Sequence, residues 1–383
     1  MEKKVADIKN RLAIVVLAYA DYESLELALA THARFSAESG VDIYVLQNGR
    51  GSYDCERTYE VAKRYHHLFP ESIFVIDDIK PDIPFRSLKT LFGSKRFEKY
   101  DYIIKLDDDV MVLTEDWIDK LCKCFIEGKE KYGDKFAYAT SLVNNNPYGF
   151  KKIIDNSKTL SDEYYSRIAR KHYVGPDFDY PFGPNRLLPK EEIYAGANGT
   201  IWCYPYIARW LHEKTTMKPQ WYINFASKLK VEPVNNKERY SINCLLFEKK
   251  LWLNELSPVE PKGPRCNDDE HLLQAYCLKY NKVILADLSI PMVHLFFCSQ
   301  RSECRDMIDS LRECYTDFLG LPFPIAICND RLIEIENRMR FLEKNMANNG
   351  QKRGDGLVTK GVKYVKDNGI KHTVKQASKR LWR

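Results

Sequence analysis

The chain has no long apolar run. Its longest, Leu12 to Ala20, falls far short of the ~20 residues a helix needs to cross a bilayer. Met1-Glu2-Lys3-Lys4 leads into neither an apolar h-region nor a small-residue cleavage site, so no secretory leader is read and an intracellular protein is expected. No two of the 11 cysteines have Cys-x-x-Cys spacing, and Cys122-x-Cys124 has no partner pair. A zinc site or disulfide framework is therefore excluded in favour of reduced thiols. No Gly-rich phosphate loop follows the first apolar segment, Leu17-Ala18-Tyr19-Ala20-Asp21. A general basic surface is also missing. The formal charge of +6 comes from the stretch Lys352 to Arg383, whose ten Lys/Arg and two Asp give +8 and leave 6 − 8 = −2 for the rest. The body carries no nucleic-acid signal.

What is there is a soluble-type composition over 383 residues, enough for one large domain and an appendage. The first third alternates apolar strands with amphipathic helices. Leu12 to Leu17 reads as a strand buried on both faces, followed by a helix begun by Asp21 or Ser24. Asp42 to Leu46 is a second strand, ending at Gln47-Asn48-Gly49. A helix over 54–67, a strand over 72–76, a helix containing Leu88 to Phe97 and a strand over 102–106 complete the pattern, and Thr114-Glu115-Asp116 suits the N-cap and acidic first turn of a helix through Phe125. Strands and helices at this spacing predict an α/β fold with a largely parallel sheet. Ligands of such sheets bind beyond the carboxyl ends of the strands, so Tyr19-Ala20-Asp21, Gln47-Asn48-Gly49 and Asp107-Asp108-Asp109 are expected to share one crevice.

The aspartate triplet is the most informative motif. Carboxylates repel one another and resist burial, so a cluster at the end of the apolar strand Tyr102 to Leu106 calls for a cation. Hard divalent ions take oxygen ligands and bridge carboxylates to phosphates. A solvated loop is the plain alternative, but Val110-Met111-Val112-Leu113 follows the triplet and argues against it. In extended chain Asp107 and Asp109 point the same way. Asp109 is taken as the direct ligand, Asp107 as a ligand or a ribose contact, and Asp108 as shaping the turn. A second cluster, Asp268-Asp269-Glu270, opens a helix through Tyr276; acidic residues suit any helix N-terminus, and a general base also needs reach to its proton. Two strands are read after it, over 283–286 and 290–297. The second carries His294, which suits either a satisfied core histidine or an imidazole ligand of a metal such as Mn2+. The aromatic stretch from Lys218 to Arg265, with Trp221, Tyr222, Phe225, Tyr240 and Trp252, fits a satellite apolar cluster or an acceptor platform. Leu332, Ile335, Met339, Leu342 and Met346 form a short heptad seam that suits packing on the domain or a homodimer.

Taken in order, the β/α first half, the strand-Asp-x-Asp element and the downstream Asp-Asp-x-x-Leu helix start resemble the GT-A glycosyltransferases. The nearest likeness is to glycosyltransferase family two and related bacterial surface-polysaccharide transferases, from about Arg11 to Phe297. The resemblance implies a Rossmann-like GT-A domain over residues 1–300, with a nucleotide-sugar-binding half at 1–143 and an acceptor and catalytic half at 144–300. A helical extension would follow at 301–350 and a basic amphipathic tail at 351–383. It implies Mn2+ or Mg2+ on the donor diphosphate, held by Asp109, Asp107 and a late-strand His294. Leu272 sets the register that places Asp269 as catalytic base. Leu17, Tyr19, Asp21, Gln47 and Asn48 stand where the base and ribose are bound, although the family's Pro-x-Tyr-Asn and Asp-Asp-Gly-Ser runs are both altered here. Gly196, Ala197 and Asn198 resemble the segment that lines the donor-sugar pocket. Asp108 lies beside the nucleotide, and Lys89 or Arg86 could add charge near the diphosphate. The implied reaction is a single displacement: the metal offsets charge on the leaving nucleoside diphosphate while Asp269 takes the acceptor hydroxyl's proton, inverting the anomeric carbon.

In the tail, Val358, Val362 and Val365 form one apolar stripe and Ile370, Val374, Ala377 and Leu381 another, with Lys360, Lys363, Lys366, Lys371, Lys375, Lys379 and Arg380 on the basic side. Such a segment suits an anionic membrane surface. The expected setting is cytoplasmic, peripheral to the inner face of the cell membrane, with a glycan or lipid-linked acceptor and no nucleic acid. Two other readings compete: a nucleotidyltransferase that makes nucleotide sugars, disfavoured by the missing Gly-rich loop, and a non-catalytic carbohydrate-binding protein, disfavoured by the acidic residues at both expected positions.

Overall fold

The apolar run at the start of the chain becomes β1 (Leu12–Ala18), buried at every position except Leu17. It lies between two parallel neighbours, which explains why its sequence does not alternate. The computed structural model describes residues 1–168, 205–234, 242–256, 269–296 and 300–320. Before β1 comes α1 (Glu2–Lys9) and after it α2 (Tyr22–Phe35). Asp21 caps α2 by accepting from the Ser24 amide at 3.3 Å. β2 (Asp42–Gln47), α3 (Tyr53–Leu68), β3 (Ile73–Ile76) and α4 (Pro84–Phe92) follow. The helix expected to reach Phe97 stops at Phe92 and gives way to a 3-10 turn over Lys95–Phe97.

β4 (Tyr102–Asp107) ends in the aspartates, which lead into the short β5 (Val110–Val112). α5 (Trp117–Tyr132) has Asp116 at its N-cap, without the side-chain capping bond the sequence suggested. β6 (Phe136–Val143), α6 (Pro147–Asn156) and α7 (Lys158–Glu163) come next. Then follow α8 (Pro205–Lys214), α9 (Pro219–Ala226), β7 (Val231–Val234) and β8 (Cys244–Glu248). Last come α10 (Asp269–Lys279), β9 (Val283–His294), α11 (Arg301–Cys304) and α12 (Ile308–Leu319). The two late strands expected from sequence are one strand, β9. Its register against β6 jumps from Ser141 opposite Asp287 to Leu142 opposite Pro291, so Leu288 to Ile290 bulge out of the ladder.

The described strands form one sheet in the order β3-β2-β1-β4-β8-β6-β9-β5, with β7 also on β9. β1, β2, β3, β4, β6 and β9 run one way, and β5, β7 and β8 run against them. The expected α/β architecture with a mostly parallel sheet is therefore the one found. Only two residues, Asp108 and Asp109, separate β4 from β5, yet β8, β6 and β9 intervene between them in the sheet. The sheet must curl for so short a link to close. That curl brings the carboxyl end of β9 back to the carboxyl end of β4.

Two members of the aromatic stretch, Trp252 and Tyr222, belong to the core. Trp252 is fully buried, stacks on Phe85 and Phe247 at 5.4 Å each, and donates its indole N–H to the Phe85 carbonyl. Tyr222 is also buried, with its hydroxyl on the Leu142 carbonyl. Trp221 is exposed and stacked on Phe225; Tyr240 lies outside the described residues. α12 packs on α2, where Arg312 donates to Glu26 at 2.9 Å. Met1–Leu321 form one compact unit. The heptad seam and the basic tail fall in the other, Pro322–Arg383, outside the described residues.

Candidate metal and catalytic site

Asp107 closes β4, while Asp108 and Asp109 form the turn into β5. The segment is not extended, so strand alternation is not what aligns Asp107 with Asp109. The turn does it, and pairing fixes the result. Val110 sits opposite His294 in the antiparallel β5/β9 ribbon. The Leu295 amide donates to the Asp109 carbonyl at 3.0 Å and the Phe296 amide to its carboxylate at 3.3 Å. His294 Nε2 then lies 3.3 Å from Asp109 Oδ1. One ligand atom from each of Asp107, Asp109 and His294 lies within 4.8 Å of the other two. Two carboxylates and an imidazole at this separation form a donor set that fits Mn2+ or Mg2+, and the imidazole favours Mn2+.

Burial sets the charges. Asp109 is 1% exposed and Asp108 6%. Burial, then the charge of Asp109, pushes the Asp108 carboxyl up to about 8. Burial would raise Asp109 as well, but the His294 ring and Arg301 outweigh it and hold Asp109 below the usual carboxylate range. For His294, burial acts to lower the pKa and the Asp109 charge overrides it, so the ring is raised. Two adjacent buried carboxyls of opposite tendency indicate a site short of positive charge. Asp108 also holds the crevice together: its carboxylate accepts the Tyr19 amide at 2.9 Å, tying the loop after β1 to the aspartate turn.

The imidazole is held from behind. Nδ1–H of His294 donates to the Asn145 carbonyl at 2.9 Å, which leaves Nε2 facing Asp109. The His294 amide donates to Asn144 Oδ1 at 3.1 Å, and Asn144 Nδ2 donates to Thr215 and Thr216. His212 Nε2 donates to the Leu295 carbonyl at 2.6 Å, so its Nδ1 must accept the Thr216 hydroxyl at 2.7 Å. Burial lowers His212 to about 4 and keeps it neutral for this arrangement.

Sequence reasoning missed Lys105. It is 1% exposed, in the middle of β4. Its ammonium contacts Asp107 Oδ1, donates to the Ile242 carbonyl at 3.3 Å and lies 3.8 Å from Asp269 Oδ2. Burial acts to lower its pKa, but Asp107 and then Asp269 more than compensate, so it stays charged. Asn243, just before β8, donates to Asp107 Oδ2 at 2.9 Å. A lone lysine two residues before Asp107 on an apolar strand was a readable signal, because i and i+2 share a face. Asn243 left none, since it approaches across the sheet. Asp269 itself is 6% exposed, at the first residue of α10.

The loops after β1 and β2 meet beside the aspartate turn. Tyr19 presents a ring that is 60% exposed beside the aspartate turn. Gln47 Nε2 donates to the carbonyls of Gly49 and Cys55 at 3.0 and 3.1 Å. Asn48 bonds to Asp82 and Ser87, so both amides hold the loop in shape. Leu17, on β1, pairs in register with Asp107. Asp21 lies 3.4 Å from Arg301 Nε, and Arg301 and Arg305 line a small cleft with Ala20 and Phe296. Lys89 lies on α4 with its ammonium 5.9 Å from the centre of the Phe85 ring, and Arg86 is 3.9 Å from Asp82. Gly196, Ala197, Asn198 and Asp268 lie outside the described residues.

No protein-family model and no curated protein matches the chain. Among solved structures, the chain is similar to a mannosyltransferase, PcManGT from Pyrobaculum calidifontis, in complex with GDP-Man and Mn2+. That likeness has 11% identity and a TM-score of 0.39, over 97% of this chain and 87% of that one. It is also similar to glucosyl-3-phosphoglycerate synthase from Mycobacterium tuberculosis in complex with Mn2+, UDP-glucose and phosphoglyceric acid, at 11% identity and a TM-score of 0.32, over 84% of both chains. A third likeness is to the bifunctional glycosyltransferase WbbM, at 11% identity and a TM-score of 0.38, over 80% of this chain and 49% of that one.

Proposed function

We propose that this chain is a metal-dependent, inverting glycosyltransferase that moves a sugar from a nucleotide-sugar donor to a hydroxyl of a glycan or lipid-linked acceptor, in cell-surface polysaccharide synthesis. The observation that carries the reading is the meeting of Asp107, Asp109 and His294 at the carboxyl edge of a curled α/β sheet, with Asp269 buried across Lys105. Asp107, Asp109 and His294 would hold Mn2+ or Mg2+. Such an ion, when bound, would offset the charge that grows on the leaving diphosphate. Tyr19 offers an aromatic face beside the cluster for the nucleoside base. Asp269 would accept the proton of the acceptor hydroxyl as that oxygen attacks the anomeric carbon. The basic tail would dock the enzyme on an anionic membrane surface at the inner face of the cell membrane, next to a lipid-linked acceptor. The heptad seam over 332–346 would support a homodimer, which sedimentation velocity of the full chain and of one truncated before Leu332 would reveal.

The deciding experiment follows nucleoside diphosphate release from a panel of nucleotide sugars with and without Mn2+. Wild type is expected to hydrolyse at least one of them only when the ion is present. Asp109→Ala should lose on the order of 100-fold, the upper end of what even an outer-shell partner of a metal costs. Metal-independent release, or no effect of the substitution, defeats the reading. Release of a nucleoside monophosphate with a sugar phosphate would point to nucleotidyl chemistry instead. NMR of the transferred sugar's anomeric centre reports inversion or retention.

A further inference from the structure

A buried lysine is uncommon, and one that stays charged needs partners that meet its desolvation cost. Among the described residues Lys105 pairs with two carboxylates, and they belong to different parts of the candidate site. Asp107, on its own strand, is a member of the Asp107–Asp109–His294 cluster. Asp269, 162 residues after Asp107 at the start of α10, is not. The ammonium contacts the first and stands 3.8 Å from the second. It also donates to the Ile242 carbonyl at 3.3 Å, beside Asn243, which donates to the other oxygen of Asp107. Lys105 thus stands between the acidic cluster and the candidate base.

We propose that Lys105 is a positioning residue that couples cation binding at Asp107 to the placement of Asp269, an inference that rests on the transferase reading above. Without a divalent ion, Lys105 is the resident counter-charge of Asp107. A divalent ion that binds Asp107 competes with the ammonium for the same carboxylate. The displaced charge then shifts toward Asp269 and holds it against the crevice. Donor loading and readiness of the base become linked through one side chain, with the reciprocity that any such linkage requires.

The consequence runs against intuition. Removing a positive charge beside the cluster should tighten cation binding and yet slow transfer. In Lys105→Met, the dissociation constant for Mn2+ alone, read by electron paramagnetic resonance, is expected to fall by about tenfold, a coupling within the usual range. At saturating Mn2+ and donor, kcat should fall while the KM for the donor does not rise. Asp269→Asn should weaken Mn2+ binding in the wild-type background, because Lys105 then falls wholly to Asp107. In the double variant that weakening should vanish, a non-additivity that a merely structural lysine would not produce. Unchanged or weaker Mn2+ binding in a folded Lys105→Met, or additive effects in the cycle, overturns the inference while leaving the transferase reading intact. Absence of Mn2+ binding by the wild type overturns both. Should Lys105→Met fail to fold, Lys105→Arg serves the same purpose. Its guanidinium can hold both oxygens of Asp107, so Mn2+ should bind more weakly than in wild type, and equal or tighter binding overturns the inference.

Discussion

Gly49 shows how tightly the loops after β1 and β2 are packed. Its backbone is not in the left-handed region; what demands glycine is close approach. A Cβ there would sit 2.5 Å from the Tyr19 carbonyl oxygen and 2.5 Å from Cys55 Sγ. The carbonyl is backbone and cannot swing away. Gly49→Ala should push the loop after β1 outward and strain the Tyr19–Asp108 bond that ties it to the aspartates. Urea unfolding should show a loss of about 1–3 kcal/mol, typical of overpacking. No measurable loss would mean that the two loops are not locked as described. The same scale explains which site residues could be read in the sequence. Asp107, Asp109 and His294 stand out because each is a chemistry-bearing residue beside an apolar strand, and Asp269 because its acidic cluster opens a helix. Gln47 and Asn48 stood out too, but their amides shape the loop through Gly49, Cys55, Asp82 and Ser87.

At the scale of elements, α2 and α5 meet through a polar knot. His32 is fully buried, bonded through Nδ1 to Ser36 Oγ at 3.2 Å and edge-on to Trp117 at 6.1 Å. Trp117 donates to the same hydroxyl at 3.1 Å. The Ser36 hydroxyl thus joins both rings, with its own proton available to a neutral His32. Burial lowers this histidine from 6.5 to about 4. Between those values the unfolded chain binds a proton that the folded chain refuses. Stability is therefore full above pH 6.5 and is lost as pH falls toward 4, on the order of 3 kcal/mol for such a shift. His212 behaves alike, behind the site. In metal-free protein, His32→Leu should flatten the dependence of unfolding free energy on pH across this window, by up to ~1.4 kcal/mol per pH unit where the titration is steepest. An unchanged slope would show that His32 titrates normally. The bounds of the elements were legible where caps and periodicity agreed, as at Asp21 for α2. They were not where a bulge intervened: Asp287 to Ser289 read as a break between two strands, whereas a bulge over Leu288 to Ile290 kinks a single β9.

The whole molecule adds the tail, whose two basic amphipathic stripes are proposed to bind an anionic surface. Vesicles containing about one-third phosphatidylserine should sediment the full chain, with each basic residue near the surface contributing about 1 kcal/mol. Deleting residues 356–383 should abolish sedimentation, as should high salt. Equal sedimentation with and without the tail would remove the membrane proposal and leave the transferase proposal untouched.

By itself the sequence determined the α/β alternation and the strand ends at which the candidate acids lie. These depend on local pattern: apolar runs for strands buried on both faces, polar residues where a strand stops. Only the tertiary structure decided that Asp109 meets His294, that Asn145 fixes the ring, and that Lys105 lies between Asp107 and Asp269. Each of those contacts depends on the curl that lets β4 run through two residues into β5 at the far side of β9. Curl is a property of the assembled sheet, set by how strands from both halves of the chain pair and twist, and no local stretch of sequence encodes it.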